Sequence, residues 1–149
     1  MGKDDIKILI FRLNKEFYAT DIMQVERILG YENPTKLPGA PDFLFGVLPY
    51  EKTIIPVISL SKRFALEQAQ ITKETKIIVS KQNDEKIGIV VDEVSEVRDI
   101  DLKDIEKPSD SIIGISKRYI KGLIKMNGGV IVFLNLLSIL TEDEKKLLK

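Results

Sequence analysis

The chain has 149 residues, with 23 Lys or Arg and 23 Asp or Glu, so its formal net charge at neutral pH is zero. A balanced chain has no bulk electrostatic attraction to nucleic acid or to an anionic membrane surface. It contains no His and no Cys, which removes the commonest general base, the commonest metal ligands and all disulfides. Composition therefore argues against most hydrolases and metalloenzymes. We predict one domain, or two very small ones sharing a core, with no catalytic residues, no metal site and no cofactor.

The sequence does not predict an export signal or a membrane span. The first residues, MGKDDIKILIF, carry acids where an export signal would be basic. The longest apolar stretch, residues 129–140, contains Asn135 and Ser138 and is shorter than the roughly 20 residues that span a bilayer. We therefore expect a cytoplasmic protein with no direct membrane insertion.

Three β-hairpins are predicted along the chain. The first has alternating isoleucines in IKILIFRL, a turn at Asn14 and a second strand in KEFYAT. The second lies within residues 76–91, where two apolar strands flank Asn83-Asp84-Glu85. The third flanks Asn127-Gly128-Gly129, where we predict a type I′ turn because Asn and Gly both accept positive φ.

Further strands and short helices are predicted around these hairpins. Segments 21–30, 41–48 and 53–60 are rich in Val, Ile and Phe and are bounded by Gly, Pro or Asn. Asp21 is predicted to cap one helical turn before its strand, and Asp101 to cap another in DLKDIE. LSKRFAL is predicted to be a short helix. A C-terminal helix is predicted to begin with a capping box in Thr141-Glu142-Asp143-Glu144.

Many strands at short intervals, with few helices, indicate a mostly-β fold of barrels or a sandwich. No low-complexity linker divides the chain. The polar segment 67–74 is the nearest candidate for a boundary and would join two small barrels.

The stretch GVLPYEKT, residues 46–53, approximates a phosphate-binding loop but lacks its second Gly. Glu51 stands there instead, with a side chain and a negative charge that would repel phosphate. The residues that follow, IIPVISL, are β-branched and contain Pro56, whereas the motif should open a helix. We therefore predict a turn between two strands and no nucleotide site.

Two other kinds of chemistry were weighed against simpler structural roles. Acidic residues gather between positions 92 and 104, but most are expected to be solvated, and Asp92 is expected to cap a backbone N–H where its strand leaves the core. A small β-barrel that binds nucleic acid stays a distant alternative, because the candidate stacking aromatics lie in apolar strand runs, where core packing explains them better. These aromatics are Phe11, Phe17, Tyr18, Phe43, Phe45 and Phe133.

Five segments in a fixed order make a specific resemblance. FRLNKEFYATDIMQVERILG, LPGAPDFLFGV, IIPVISLSKRF, IGIVVDEVSEV and YIKGLIK…GGVIVFLNLLSIL resemble the CheW family, the coupling proteins of bacterial chemotaxis, over residues 6–148. The resemblance implies a single CheW-like domain over residues 1–149. Its expected fold is two five-stranded, SH3-like β-barrels packed about a shared core, with short helices and a C-terminal helix. It also implies a non-catalytic, monomeric adaptor that joins the cytoplasmic tip of a chemoreceptor to the regulatory domain of a CheA-type histidine kinase.

The chain departs from the family pattern in an early strand, at the following turn, and at Ser59, where Asp is usual. The family usually has Gly-Val-x-Asn-Leu-Arg-Gly at the turn, whereas here Gly46 and Val47 are followed by Leu48 and then by Pro49-Tyr50-Glu51-Lys52. An early strand usually reads Val-x-Glu-Ile, and here Arg27 stands at the acidic position. Arg27 and Glu51 would form an ion pair of reversed polarity if they lie close together. Independent variation of two surface residues is the equally open alternative.

By resemblance, the partner-binding surface divides into an apolar part and a charged rim. Val25, Val94 and Val97 are predicted to form the apolar receptor-facing part, and Arg27 and Glu51 its rim. An adaptor for another kinase array, with the altered turn recognising something other than a chemoreceptor, is the alternative function. The full set of predicted partner-binding residues is Val25, Arg27, Gly46, Tyr50, Glu51, Lys52, Val94 and Val97.

Because Glu51 replaces the Gly that a phosphate loop needs, we predict that calorimetric titration of the protein with ATP and Mg²⁺ gives no binding heat. Saturable binding in the micromolar range would contradict our interpretation of residues 46–53.

Overall fold

The structure is a computed structural model that describes residues 4–67, 70–82, 84–108 and 118–147, and these residues form two mixed β-sheets. Sheet A has six strands in the order β8-β1-β2-β11-β10-β9, and sheet B has five in the order β3-β6-β7-β5-β4. Two helices, α1 (Leu60–Arg63) and α2 (Glu142–Leu147), and three 3-10 turns (Ile22–Gln24, Leu102–Asp104 and Leu136–Ser138) accompany them. The strands are β1 (Asp5–Leu13), β2 (Glu16–Asp21), β3 (Val25–Gly30), β4 (Leu44–Tyr50), β5 (Thr53–Ser59), β6 (Lys76–Gln82), β7 (Glu85–Val91), β8 (Glu93–Asp101), β9 (Ile105–Glu106), β10 (Ile120–Met126) and β11 (Gly129–Leu134).

The three predicted hairpins are confirmed as β1–β2, β6–β7 and β10–β11. Asn14 (φ 49°) and Lys15 (φ 75°) both adopt left-handed backbone conformations in the first turn, as a type I′ turn requires. The type I′ prediction for the third turn is wrong, because Gly128 has positive φ (74°) while Asn127 does not. Asn83, in the second turn, lies outside the described residues.

The short helical turns begin at the positions that the capping residues Asp21 and Asp101 predicted. A carboxylate oxygen of Asp21 accepts the N–H of Met23 at 2.9 Å, and Asp101 accepts that of Lys103 at 2.9 Å. Each turn leads directly into a strand, so these caps mark the corners at which the chain changes direction.

The expected cap at Asp92 is confirmed. Its carboxylate accepts the backbone N–H of Asn14 at 2.7 Å, and its own N–H donates to the carbonyl of Arg12 at 3.0 Å. Asp92 therefore ties the corner between β7 and β8 to the first hairpin turn.

The last helix is joined to the rest of the chain by two sets of contacts. Thr141 and Glu144 exchange both hydrogen bonds of a capping box, at 2.8 and 3.0 Å. The guanidinium of Arg63, in α1, donates to Glu144 at 2.6 Å and to the hydroxyl of Tyr119 at 2.9 Å. Arg63 thus holds α1 and α2 together.

Sheet B is inserted in the sequence of sheet A. The chain passes from β2 of sheet A to β3, which pairs with β6, and after β7 it returns to sheet A at β8, which pairs with β1. Each sheet also contains one parallel pair, β2 with β11 and β5 with β7. Sheet B is therefore a continuous piece of chain, β3 to β7, whereas sheet A combines β1 and β2 with β8 to β11.

A shared hydrophobic core lies between the sheets, and each sheet buries a further cluster of its own. Leu9 and Phe11 of sheet A belong to the shared core together with Ile58, Ile78 and Ile89 of sheet B. The other face of sheet A buries a cluster with Ile8, Ile10, Ile124 and Phe133, and the other face of sheet B buries Leu48, Tyr50, Ile55, Val57, Ile77, Val79 and Val90.

The sheets differ in detail from two five-stranded barrels. Sheet A has a sixth strand because β9 adds to β10. Within the described ranges, no backbone ladder joins the outer strands of either sheet. The structure therefore shows a mostly-β fold of two sheets around a shared core, without closed barrels.

Gly46 lies where two strands approach too closely for a side chain. It follows a bulge in β4, and the next residue, Val47, exchanges two backbone hydrogen bonds of 2.9 Å with Thr35. A Cβ on Gly46 would collide with the carbonyl oxygen of Thr35 and lie 2.8 Å from Cβ of Pro34. Its φ of 154° also disfavours other residues.

We predict that Gly46→Ala destabilises the protein by about 2–4 kcal/mol, because it combines backbone strain with a collision against main chain. Thermal unfolding should show a Tm lower by roughly 5–15 °C. Gly129→Ala is the matched control, since nothing lies within 4 Å of the Cβ it would add. Similar Tm values for the two variants would contradict the close approach at Gly46.

Candidate partner-binding surfaces

A β-bulge in β3 decides which way the predicted site residues face. Val25 pairs with Ser80 of β6 and Arg27 pairs with Val79, so Glu26 is the extra residue between them. Because Ser80 and Val79 are neighbours in a strand, their side chains point to opposite faces of sheet B. Val25 and Arg27 therefore also lie on opposite faces, although they are two residues apart.

The three predicted valines lie on the sheet faces that carry the shared core. In β8 a second bulge, at Ser95, pairs Val97 with Leu9 and Val94 with Phe11, so both valines share a face with these core residues. Val94 and Val25 pack against the core, whereas Val97 is 51% exposed. The chain thus has an apolar surface beside its core.

Ile28 also belongs to this surface, although the sequence did not single it out. It pairs with Ile78, a residue of the shared core, yet it is 39% exposed. The sequence indicates the position of Ile28 only weakly, because the bulge at Glu26 interrupts the alternation of inward and outward side chains along β3. We call Val25, Ile28, Val94 and Val97 the apolar flank.

Arg27, on the opposite face, borders a cluster of buried and charged groups. Tyr50 is only 4% exposed, and its hydroxyl donates to Oε2 of Glu26 at 2.7 Å. Nζ of Lys86 lies 3.1 Å from the same oxygen and 3.5 Å from Oε1 of Glu51. The cations of Lys86 and Arg27 lie 5.2 and 5.7 Å from the centroid of the Tyr50 ring.

The hypothesis of an Arg27–Glu51 ion pair is wrong, although both residues lie beside Tyr50. Glu51 pairs with Lys86, and Arg27 lies over the aromatic ring. Sequence analysis missed Lys86 and Glu26. Lys86 is 35 residues from Glu51, and no local pattern signals such a contact.

Burial and hydrogen bonding shift the pKa values of Tyr50, Glu26 and Lys86 in this cluster. Burial, and then the hydrogen bond to Glu26, raises the pKa of Tyr50 to about 12. The Tyr50 hydroxyl and then Lys86 lower the pKa of Glu26, and the hydrogen bond to Glu26 raises the pKa of Lys86. At neutral pH, Tyr50 is therefore a neutral donor between a carboxylate and an ammonium group.

The turn at residues 49–52, where the sequence departs from the family pattern, is a two-residue hairpin connection between β4 and β5. Tyr50 pairs with Thr53, which leaves Glu51 and Lys52 in the turn, both exposed. Glu51 has a φ of 53°, a left-handed conformation that costs a non-Gly residue roughly 1–2 kcal/mol. Lys86 holds the Glu51 side chain against the end of the sheet.

A groove of about 340 Å³ separates β3 from β4, the two outer strands of sheet B. Residues 27 and 29–32 line one side, and residues 48–51 line the other. The hydroxyl of Tyr50, on β4, reaches Glu26, on β3, so sheet B curls until its outer strands face each other. We call this feature the edge groove.

A second cavity, of about 210 Å³, is apolar and aromatic. Tyr18, Phe64 and Tyr119 line it, with ring centroids 6.2 and 5.4 Å apart along the series. Tyr18 also stacks on buried Phe11 at 6.1 Å. The aromatics weighed earlier as base-stacking candidates are buried or packed against the hydrophobic clusters.

Two features are absent from the described part of the chain. No three acidic side chains there gather closely enough to hold a metal ion. None of the helices there has the length and apolarity that crossing a membrane requires.

Comparison with known families identifies the chain. The family model described as a CheW-like domain matches residues 7–144, nearly the whole sequence. The chain belongs to the CheW-like family. The bulged strands, the apolar flank and the edge groove are therefore features of a CheW-like domain.

Relatives and a solved structure agree with this assignment. The chemotaxis protein CheW of Klebsiella aerogenes is 30% identical over 95% of this chain and 85% of its own length. The chemotaxis protein CheW of Treponema pallidum is 27% identical over 97% and 87%. The crystal structure of the scaffolding protein TtCheW from Thermoanaerobacter tengcongensis is similar with a TM-score of 0.83 and 32% identity, over 91% of this chain and 87% of that one.

We predict that Tyr50→Phe weakens the pH dependence of stability above pH 10. The pKa of Tyr50 is raised from 10.0 to about 12 in the folded protein, so its contribution is full below pH 10 and is lost as the pH rises through 12. The free energy of unfolding, measured in urea between pH 9 and 12, should therefore fall more steeply with rising pH for the unsubstituted protein than for Tyr50→Phe.

Tyr31→Phe is the matched control, because burial alone raises the pKa of Tyr31. It should keep most of the original pH dependence. Curves for Tyr50→Phe that run parallel to those of the unsubstituted protein would contradict the raised pKa of Tyr50.

Proposed function

We propose that this CheW-like chain is a scaffold that couples chemoreceptors to a CheA-type histidine kinase in bacterial chemotaxis. Membership of the family over residues 7–144 is the observation that carries this proposal. Relatives that cover nearly the whole chain are named chemotaxis proteins, and the similar solved structure is named a scaffolding protein. The proposed role is non-catalytic binding, and coupling of this kind takes place in the cytoplasm.

The apolar flank is the surface we propose for the helical tip of the receptor. Val97 and Ile28 leave apolar area exposed beside the shared core. Exposed apolar side chains that continue a core are typical of protein interfaces. A helix that presents apolar residues three and four apart would cover such a surface.

The organisation of the chain as one domain with two subdomains is part of the same proposal. The topology supports it, because sheet B is inserted between β2 and β8 of sheet A, and sheet A is complete only when the chain returns to it. We propose that each curled sheet acts as a barrel-like subdomain, and that the isolated protein is a monomer.

An adaptor role with another partner is the second candidate, and the charged cluster favours it. Tyr50, Glu26, Lys86 and Glu51 form a connected group at the turn where the family pattern is rewritten. A partner that contacts this turn would meet charges in an order different from the family's usual one. Retained kinase binding without any receptor binding would support this second candidate.

We predict that Val97→Asp weakens association with a receptor cytoplasmic fragment by about 10- to 100-fold, because it buries a charge in an apolar contact. Co-sedimentation with the receptor fragment and the kinase regulatory domain from the same organism measures this. Folding should be kept, because Val97 is half exposed.

Val130→Asp is the matched control for this experiment. Val130 is 48% exposed and lies on β11, three strands away from β8 in sheet A. It should bind the receptor fragment normally. Equal binding by both variants would rule out the apolar flank as the receptor surface.

A further inference from the structure

We propose that the cavity of about 210 Å³ beside Tyr18, Phe64 and Tyr119 binds a small neutral molecule that has one aromatic ring and a hydrogen-bonding substituent. We call this site the aromatic cavity. The proposal goes beyond the coupling role, because it assigns a small-molecule ligand to a scaffold whose proposed partners are proteins. The three rings are the proposed contacts for the ligand ring, and the Tyr18 hydroxyl is the proposed partner of its substituent.

The aromatic cavity lies between the two sheets, apart from the apolar flank and the edge groove. Tyr18 on β2 and Val132 on β11 belong to sheet A, whereas Phe64 directly follows α1, which continues from β5 of sheet B. Within sheet A, β1 separates β2 from β8, the strand that carries Val94 and Val97. The described residues that line the cavity include none that line the edge groove. A ligand here would therefore occupy a third site.

Size and lining favour a single aromatic ring. An engineered apolar cavity of about 150 Å³ holds benzene, and the aromatic cavity, at about 210 Å³, has room for a ring and a small substituent. The ring planes of Tyr18 and Phe64 are 24° apart, and those of Phe64 and Tyr119 are 50° apart. Rings inclined in this way offer both faces and edges, the two contacts through which aromatic groups prefer to pair. The lining thus favours an aromatic ligand over an aliphatic one of equal size.

The distribution of charge favours a neutral ligand. No charged side chain is among the described residues that line the cavity. The guanidinium groups of Arg63 and Arg118 lie over the Tyr119 ring at 5.5 and 5.4 Å, but Arg63 donates to Glu144 and Arg118 donates to two backbone carbonyls. Nε of Arg63 has no partner, yet it is buried, and Arg63 does not line the cavity. A charged ligand would therefore lose its hydration without gaining an ion pair.

Tyr18 supplies a hydroxyl that the described part of the protein leaves without a hydrogen-bond partner. The hydroxyl of Tyr119 differs, because it already accepts from Arg63 at 2.9 Å. Burial, and then the charge of Glu16, raises the pKa of Tyr18, so its hydroxyl is neutral at neutral pH and can both donate and accept. A ligand hydroxyl in the aromatic cavity would supply the missing hydrogen bond.

Phenol and cyclohexanol test the proposal directly, because they carry the same hydroxyl on rings of the same size and differ only in aromaticity. Each is titrated into the full ¹⁵N-labelled chain, and amide shifts are followed by NMR. We expect phenol to shift the amides of residues 64–66, 119–120 and 132–134 in a saturable way. It should bind about 2- to 10-fold more tightly than cyclohexanol.

Two substitutions on one face of β11 locate the site. Val132→Phe places a larger side chain in the cavity and should abolish phenol binding. Val130→Phe is the matched control, because Val130 lies two residues away on the same face and is not among the residues that line the cavity. It should bind phenol normally. The dispersion of the amide spectrum shows whether each variant is folded.

Tyr18→Phe tests the hydrogen bond and keeps the shape of the cavity. It should weaken phenol binding about 2- to 10-fold, because the ligand hydroxyl loses its partner. Benzene has no hydroxyl, so its affinity should be the same for this variant and for the unsubstituted protein. An equal loss for both ligands would contradict the role of the Tyr18 hydroxyl.

The proposal is overturned by phenol shifts that do not saturate, by shifts centred on the apolar flank or the edge groove, by equal affinities for phenol and cyclohexanol, or by phenol binding that survives Val132→Phe. Benzoate and benzylamine carry the same ring with opposite charges. Tighter binding of either one than of phenol would overturn the choice of a neutral ligand. The chain is titrated alone, so loss of receptor or kinase binding would contradict only the proposed function.

Discussion

The insertion of sheet B into the sequence of sheet A is the constraint on which the rest of the structure depends. The chain enters sheet B at β3 and returns to sheet A at β8, which pairs with the first strand. The two sheets then pack Leu9 and Phe11 of one against Ile58 and Ile78 of the other. Because the core is shared, the surfaces beside it have fixed positions relative to both sheets.

Each sheet has a Gly directly after a β-bulge. Gly46 in β4 and Gly122 in β10 each follow a bulge, and each lies beside an antiparallel neighbour that leaves no room for a Cβ. The neighbour is Thr35 in one sheet and β9 in the other. A Cβ at Gly46 would collide with backbone, and a Cβ at Gly122 would collide with Cγ2 of Ile105, so Gly suits both places. Gly46 therefore has a structural role in addition to any contact with a partner.

Bulges in β3 and β8 decide which way the side chains of these strands face. The bulge at Ser95 brings Val94 and Val97 onto one face, whereas the bulge at Glu26 sends Val25 and Arg27 to opposite faces. One extra residue reverses the direction of every side chain beyond it. β3 therefore contributes to both the apolar flank and the edge groove, whereas β8 contributes to the apolar flank alone.

The sequence by itself determined the local features: the hairpins, the caps at Asp21 and Asp101, the mostly-β class and, through ordered motifs, the family. These depend on turn residues, alternation and hydrogen bonds between near neighbours, which a single segment reveals. Only the tertiary structure decided the sixth strand of sheet A, the direction of Arg27 and the partners of Glu51. Bulges depend on the register between strands, and Lys86 approaches Glu51 only when sheet B curls. Such contacts join residues far apart in the chain, so their energies leave no local pattern to read.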